Sequence, residues 1–238
     1  MATEQATNRP KNIVVTGASR GIGIETVRFL ATRGHYVLAL SRNVEPIAAL
    51  ADEFGGLVKF QSVDLSDTSI DLEQIVSSHF RQVDALVNNA GSLINKPFVD
   101  TSIEEWKVML DVNLIAAIRM VHACLPLMSR FGQILNISSM GGFQGSIKFP
   151  GLSAYSTTKG ALGILTECLS EELIGHDIHV NALCLGAVQT EMLHEAFPGY
   201  RAPVNPEQMA AYIGDFILTY GRLFNGKILP VAINNPTT

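Results

Sequence analysis

Cysteine is scarce: Cys124, Cys168 and Cys184 are the only three in 238 residues. They are odd in number and widely spaced, which suits neither a disulfide framework nor a zinc site and reads as reduced, buried thiols. Charged residues are also few, at 16%, and with 47% apolar residues the chain is globular rather than disordered. There is no basic run, and 17 Lys and Arg stand against 22 Asp and Glu for a net charge of −5. Nucleic acid and anionic membrane surfaces are therefore not expected partners. No stretch reaches about 18 consecutive apolar residues, and the polar opening MATEQATNRPKN lacks the hydrophobic centre of a signal peptide. The reading is a soluble, cytoplasmic protein. The six histidines show no paired ligand spacing, so no metal is expected. Pro- or Ser-rich linkers and internal repeats are missing too, and the length suits one domain over residues 1–238 better than two small ones.

What is present is alternation. Ile13-Val14-Val15 is short and β-branched, a glycine-bearing loop follows, and helix-like spacing then runs through Leu30. Strand-like runs recur at Tyr36 to Leu40, Val58 to Val63, Ala85 to Val87, Gln133 to Ile137, Val180 to Leu185 and Ile228 to Val231. Between them lie helical patterns at Pro46 to Phe54, Ser69 to Phe80, Ile103 to Met128, Ala154 to Ile174 and Pro206 to Tyr220. Seven strands separated by helices predict an α/β fold, a Rossmann-like doubly wound parallel sheet with helices on both faces. Residues 191–205 break the alternation and read as a loop of the kind that covers sites. Residues 1–10 and 234–238 are expected to fray.

After the first strand, Gly17, Gly21 and Gly23 permit a tight turn and let a pyrophosphate approach the start of the next helix, where free N–H groups favour an anion. Alone, such a loop is weak evidence, and its other reading is an ordinary strand-to-helix turn. It is joined by Asn88-Asn89-Ala90-Gly91 after the fourth strand, Ser138-Ser139 after the fifth, and Tyr155-Ser-Thr-Thr-Lys159 on a helix. In that order and spacing, over residues 12 to about 232, the constellation resembles the short-chain dehydrogenase/reductase family in its compact single-domain form.

The resemblance implies a strand order of 3-2-1-4-5-6-7 with a nicotinamide dinucleotide across the carboxyl ends of the strands, a small-molecule carbonyl or alcohol substrate, and a homodimer or homotetramer. It places Gly17, Ser19, Arg20, Gly21, Ile22 and Gly23 under the phosphates. Asp64, ending the third strand before Leu65, comes beside the adenine ring unless it is simply a turn aspartate. Asn88 and Ala90 line the groove, with Asn89 and Gly91 completing the motif; the other reading of Asn88 to Gly91 is that they buttress the sheet. Val188 and Thr190 hold the carboxamide.

NAD-preferring relatives place a carboxylate at the end of the second strand; here the position is Ser41, followed by Arg42. With Arg20, two guanidinium groups can converge on a 2′-phosphate, so the expected cofactor is NADP(H); the alternative is that both are solvated surface arginines.

Hydride delivery to a carbonyl leaves an alkoxide that needs a proton. Tyr155 and Lys159 are four apart on one helix face. Lowering a phenol from about 10 to about 7 takes about 4 kcal/mol, and one cation about 4 Å away at an effective dielectric of about 20 supplies that much. The expectation is a phenol made acidic by Lys159. The resemblance assigns Ser139 to the substrate oxygen, with Ser138 the runner-up, and Asn113 to a water beside the lysine; the blander role for Asn113 is a helix kink or a core hydrogen bond.

Two family features are absent: Leu185 replaces a proline before Gly186, and Ala232-Ile233-Asn234-Asn235 replaces Asp-Gly-Gly, which weakens the carry-over of a tetramer. Ser146-Ile147-Lys148 reads as an insertion in the pocket wall. Met140, Phe143, Met192, Leu193, Phe197 and Tyr200 are the candidate pocket residues, apolar enough for a hydrophobic ketone or 3-oxoacyl chain; core or interface positions are the other reading. The functional expectation is an NADPH-dependent oxidoreductase, with an NADPH-sensing or scaffold protein as the alternative and a nucleotide-sugar epimerase third.

Overall fold

The fold is taken from a computed structural model that describes residues 9–233. Short β-branched and apolar runs form seven strands: β1 Asn12–Thr16, β2 Tyr36–Ser41, β3 Val58–Ser62, β4 Val83–Asn88, β5 Met128–Ser139, β6 His179–Leu185 and β7 Ile228–Val231. They make one parallel sheet in the order 3-2-1-4-5-6-7. Central strands read as continuous apolar runs because both faces are covered. Ile13 and Val15 join one buried cluster with Val27, Leu30, Ile213 and Phe216. Val14 joins the other, with Val76, Met120 and Val121. The chain reverses direction at β1, which pairs with β2 on one side and β4 on the other, and this opens a crevice at the carboxyl ends of β1 and β4.

Among the described residues there are eight α-helices, α1 Gly21–Thr32, α2 Glu45–Phe54, α3 Leu72–His79, α4 Ile103–Leu110, α5 Ala116–Cys124, α6 Ser153–Glu172, α7 Glu191–Ala196 and α8 Pro206–Asp215, of which α7 borders the crevice. Helix α8 lies so close to α1 that a Cβ on Gly214 would fall 2.2 Å from the Phe29 ring. Cys124 and Cys184 are buried as expected, whereas Cys168 is exposed on α6.

Several boundaries differ from the sequence reading for identifiable reasons. The long helix expected over 103–128 is divided by a π-helical turn at Asp111–Ile115 and closes with a 3-10 turn at Leu125–Leu127. The helix expected over 206–220 stops at Asp215 and continues as a second π turn, Phe216–Tyr220, where Gln133 Nε2 donates to the Ile217 carbonyl at 2.8 Å. Strand β5 begins five residues early, at Met128, through an irregular register with β4 that is eased by a left-handed Phe131 (φ 62°). The segment 191–205 is not merely a loop. Thr190 caps the short helix α7 by accepting from Leu193 N, and the chain returns to pair Val204 with Val188.

The expected fraying of 1–8 and 234–238 lies outside the described residues, but Arg9 corrects it at its own position. Arg9 Nη2 and Nη1 donate to the two oxygens of Asp84 on β4, at 2.5 and 3.0 Å. The Asn12 N–H and the Ser129 hydroxyl donate to the same carboxylate, at 2.9 and 3.0 Å. Burial pushes the Asp84 pKa up, but the hydrogen bonds from Arg9, Asn12 and Ser129 outweigh it, and the pKa lies below the ordinary carboxylate value. The charged form is thus favoured by folding: the stabilisation is present above the unfolded pKa of about 4 and is lost as pH falls through the folded value. Asp84→Asn should therefore cost about 1–3 kcal/mol in urea unfolding at pH 7, with the deficit shrinking as both proteins are titrated below about pH 4. A difference independent of pH would exclude the carboxylate charge as its source.

Candidate active site

At the crevice the backbone itself makes the first contact. Gly17 leaves β1 with φ +64°, and a Cβ there would lie 2.7 Å from Ala90 Cα. A Cβ on Gly23 would lie 2.1 Å from the Gly17 carbonyl oxygen. Only glycine fits either position. Thr16 Oγ1 accepts from the N–H groups of Asn89 and Ala90, both at 3.0 Å. Asn89 Nδ2 donates back to the carbonyls of Thr16 and Gly17, at 3.0 and 3.1 Å. Asn89 is thus both a wall of the cleft and the clip joining β1 to β4. Asn88, expected in the groove, is instead buried beneath it, donating to Asn136 Oδ1 at 2.9 Å. Helix α1 starts beside this clip with no side-chain cap and no acidic residue in its first turn, so its free N–H groups face the cleft.

At the end of β2, Ser41 Oγ donates to Ser19 Oγ at 2.9 Å, and Arg42 lines the same opening with its side chain exposed. Arg20 and Arg42 both line the cleft, and the Arg20 guanidinium is paired with Glu195 of α7 at 2.8 Å rather than free. Asp64 sits two residues beyond the end of β3 rather than at it. Its Oδ1 accepts from the Ser66 hydroxyl at 2.6 Å and the Ser66 N–H at 2.9 Å, so it forms a turn and also lines the cleft. The Ser66 hydroxyl and N–H hold its pKa below the usual value. Leu65 is buried, and its carbonyl takes a hydrogen bond from Arg119 at 2.5 Å.

The other half of the cleft is built where β5 meets α6. Ser138 Oγ donates to the Lys159 carbonyl at 2.7 Å, while Ser139 Oγ accepts from Gly141 N at 3.1 Å and stands beside Tyr155. Ser138 is thus engaged with α6, and both serines border the cleft. The contact is close: a Cβ on Gly142 would lie 2.5 Å from the backbone of Lys159 and Gly160. Lys159 is buried, and its Nζ donates to the Ile137 carbonyl at 2.8 Å. Burial lowers its pKa to about 8, partly opposed by the nearby Cys184. Tyr155 behaves opposite to expectation. Burial raises its pKa above 10 and Ser139 pulls it down less strongly. Desolvation wins over any help from the ammonium, whose hydrogen bond goes to Ile137, so the phenol keeps its proton.

Asn113 occupies the π turn, buried, and does not reach the cleft surface. Its amide accepts from Ser92 N at 2.7 Å and donates to Ser92 O at 2.9 Å and Thr158 Oγ1 at 3.0 Å. A Cβ on Gly91 would be 3.4 Å from both Asn113 Oδ1 and Lys159 Nζ, so the two side chains flank the same glycine. Asn113 thus sits in a helix irregularity and ties it to Ser92 and to Thr158 of α6.

These parts border one cleft of about 610 Å³, running from the glycine loop past Val188 and Thr190 to Tyr155. Of the candidate pocket residues Met140, Met192, Leu193, Phe197 and Tyr200 line it, but Phe143 does not. Phe149 takes its place. The 146–148 insertion folds back on itself, with Lys148 Nζ donating to the Phe143 carbonyl at 2.6 Å, and delivers Phe149 to the wall. The sequence reading gave no role to Thr16, the threonine that opens the glycine motif, or to Thr158 within the Tyr155–Lys159 motif. Backbone that tolerates no Cβ, an uncapped helix start and a long cleft fit a dinucleotide with its pyrophosphate at α1.

Comparison with known proteins agrees with this geometry. A family model for the short chain dehydrogenase matches residues 11–201. The carbonyl reductase [NADPH] 2 of Sus scrofa is 36% identical over 187 residues, covering 75% of this chain and 72% of that protein. Among solved structures, a 3-ketoacyl-(acyl-carrier-protein) reductase from Brucella melitensis complexed with NADH superposes with a TM-score of 0.82 at 26% identity, over 95% of this chain and 98% of that one. A protein assigned as an NAD(P)-dependent gluconate 5-dehydrogenase from Beutenbergia cavernae, with bound NADP, gives 0.81 at 29% identity, over 93% and 95%. The chain belongs to the short-chain dehydrogenase/reductase family, nicotinamide-dependent oxidoreductases acting on CH–OH and C=O groups.

Proposed function

We propose that this protein is an NADP(H)-dependent reductase of apolar ketones or 3-oxoacyl compounds, working as a homodimer or homotetramer. The observation that carries the reading is the single cleft joining an uncapped helix start, beside Ser41 and Arg42, to Ser139, Tyr155 and Lys159. A nicotinamide dinucleotide, when bound, supplies or accepts the hydride. The glycine loop and α1 hold its phosphates. Ser41 offers a 2′-phosphate a hydroxyl instead of a repelling carboxylate, and Arg42 offers charge. The pig relative's NADPH supports this choice.

Ser139 stabilises negative charge growing on the carbonyl oxygen, and Tyr155, protonated at neutral pH, donates the proton that completes an alcohol. Lys159, anchored on Ile137, lowers the cost of the phenolate left behind. Phe149, Met192, Phe197 and Tyr200 favour an apolar substrate. Self-association is supported by Ile103 and Val108 on α4, Ile115 in the π turn, and Ile164 on α6, all exposed.

Three measurements test the reading. Tyr155→Phe should lower kcat by about 10²–10⁴-fold while NADPH still binds, in an absorbance assay over a panel of ketones; unimpaired turnover in the variant would rule out the phenol as proton donor. A wild type silent on every ketone despite tight NADPH binding would point to a sensor instead. Arg42→Ala should raise KM for NADPH about tenfold and leave that for NADH nearly unchanged, and a wild type that prefers NADH would sink the NADP assignment. Because the Lys159 ammonium persists only below its pKa of about 8, kcat/KM for reduction should be level below that pH and fall above it; the same limb surviving in Lys159→Met would assign it to another group.

A further inference from the structure

Arg20 stands at the phosphate end of the cleft, next to the Ser19–Ser41 hydrogen bond. Its guanidinium is held from the opposite side, Nη1 donating to Glu195 Oε1 at 2.8 Å. Glu195 lies on α7, and one turn earlier Glu191 brings Oε2 within 3.5 Å of the place a Cβ on Gly21 would take. Two carboxylates of one helix edge thus rest against the start of α1. The far end of α7 is pinned as well, with Asn95 Nδ2 donating to the Ala196 carbonyl at 2.8 Å.

A guanidinium gripping a carboxylate has fewer N–H groups free for a phosphate, and a carboxylate beside that phosphate repels it. Both effects weaken a phosphorylated ribose and spare an unphosphorylated one. We propose that Glu195 is a specificity-determining residue: by holding Arg20 onto α7 it opposes the 2′-phosphate and sets the ratio of NADPH to NADH affinity. This rests on the reading of the cleft as a nicotinamide dinucleotide site. Glu195 acts through Arg20 and is a positioning residue. The pair is half exposed or more, 50% and 64% for the two side chains, so its influence is modest.

Dissociation constants for NADPH and NADH, measured by cofactor fluorescence on wild type, Glu195→Gln, Arg20→Ala and the double variant, test the proposal. Glu195→Gln should tighten NADPH about two- to fivefold at low salt with NADH nearly unchanged, and the gain should vanish in the Arg20→Ala background. An unchanged NADPH/NADH ratio in Glu195→Gln, or an equal gain without Arg20, would overturn it. A wild type that prefers NADH refutes the NADP assignment separately: a shift toward NADPH in Glu195→Gln would still support the role of Glu195, and no shift would remove both.

Discussion

The cleft depends on how closely two strand exits lie against each other. At the ends of β1 and β4, backbone meets backbone at distances that exclude any side chain at Gly17 or Gly23, and four hydrogen bonds join Thr16 and Gly17 to Asn89 and Ala90 across the gap. Each is worth about 1 kcal/mol in net stability; their larger effect is geometric. They fix the start of α1 relative to the β4 exit, so the anion-attracting N–H groups point into the crevice before any ligand arrives. A second clamp lies across the sheet, where Gly142 meets Gly160 and both ends of Lys159 are tied to β5. The two clamps face each other, and the space between them is the site.

The chemistry follows from which groups are desolvated. Tyr155 and Lys159 are both pushed toward their neutral forms, the phenol upward and the amine down to about 8. On the function proposed above, the phenol therefore holds at neutral pH the proton it donates, and the lysine matters most once that proton has left.

Much of this was legible in the sequence. Alternating apolar runs located all seven strands, and glycine spacing with the Ser, Tyr and Lys motifs located the cleft, because those signals are local. What stayed hidden is non-local. Asp84 finds Arg9 across 75 positions of chain, and neither residue announces the other. The four-residue spacing of Tyr155 and Lys159 puts them on one helix face, yet says nothing of the Ile137 carbonyl that claims the amine. Glu195 was unremarkable until the six-residue α7, too short for a periodic signal, carried it to Arg20. Phe149 replaces Phe143 in the wall because the inserted residues fold back upon themselves.

The π turn at Asp111–Ile115 reaches beyond Asn113. An α-helix advances about 100° per residue, so one additional residue in a turn rotates everything downstream by about that angle. Segment α4 faces α6, whereas α5 faces α3 and β4. The two segments thus pack against different neighbours on either side of the π turn. The inserted residue thus lets one helical run serve two partners, and at the slip itself it leaves an amide facing inward, where it ties the rod to α6 beside the lysine.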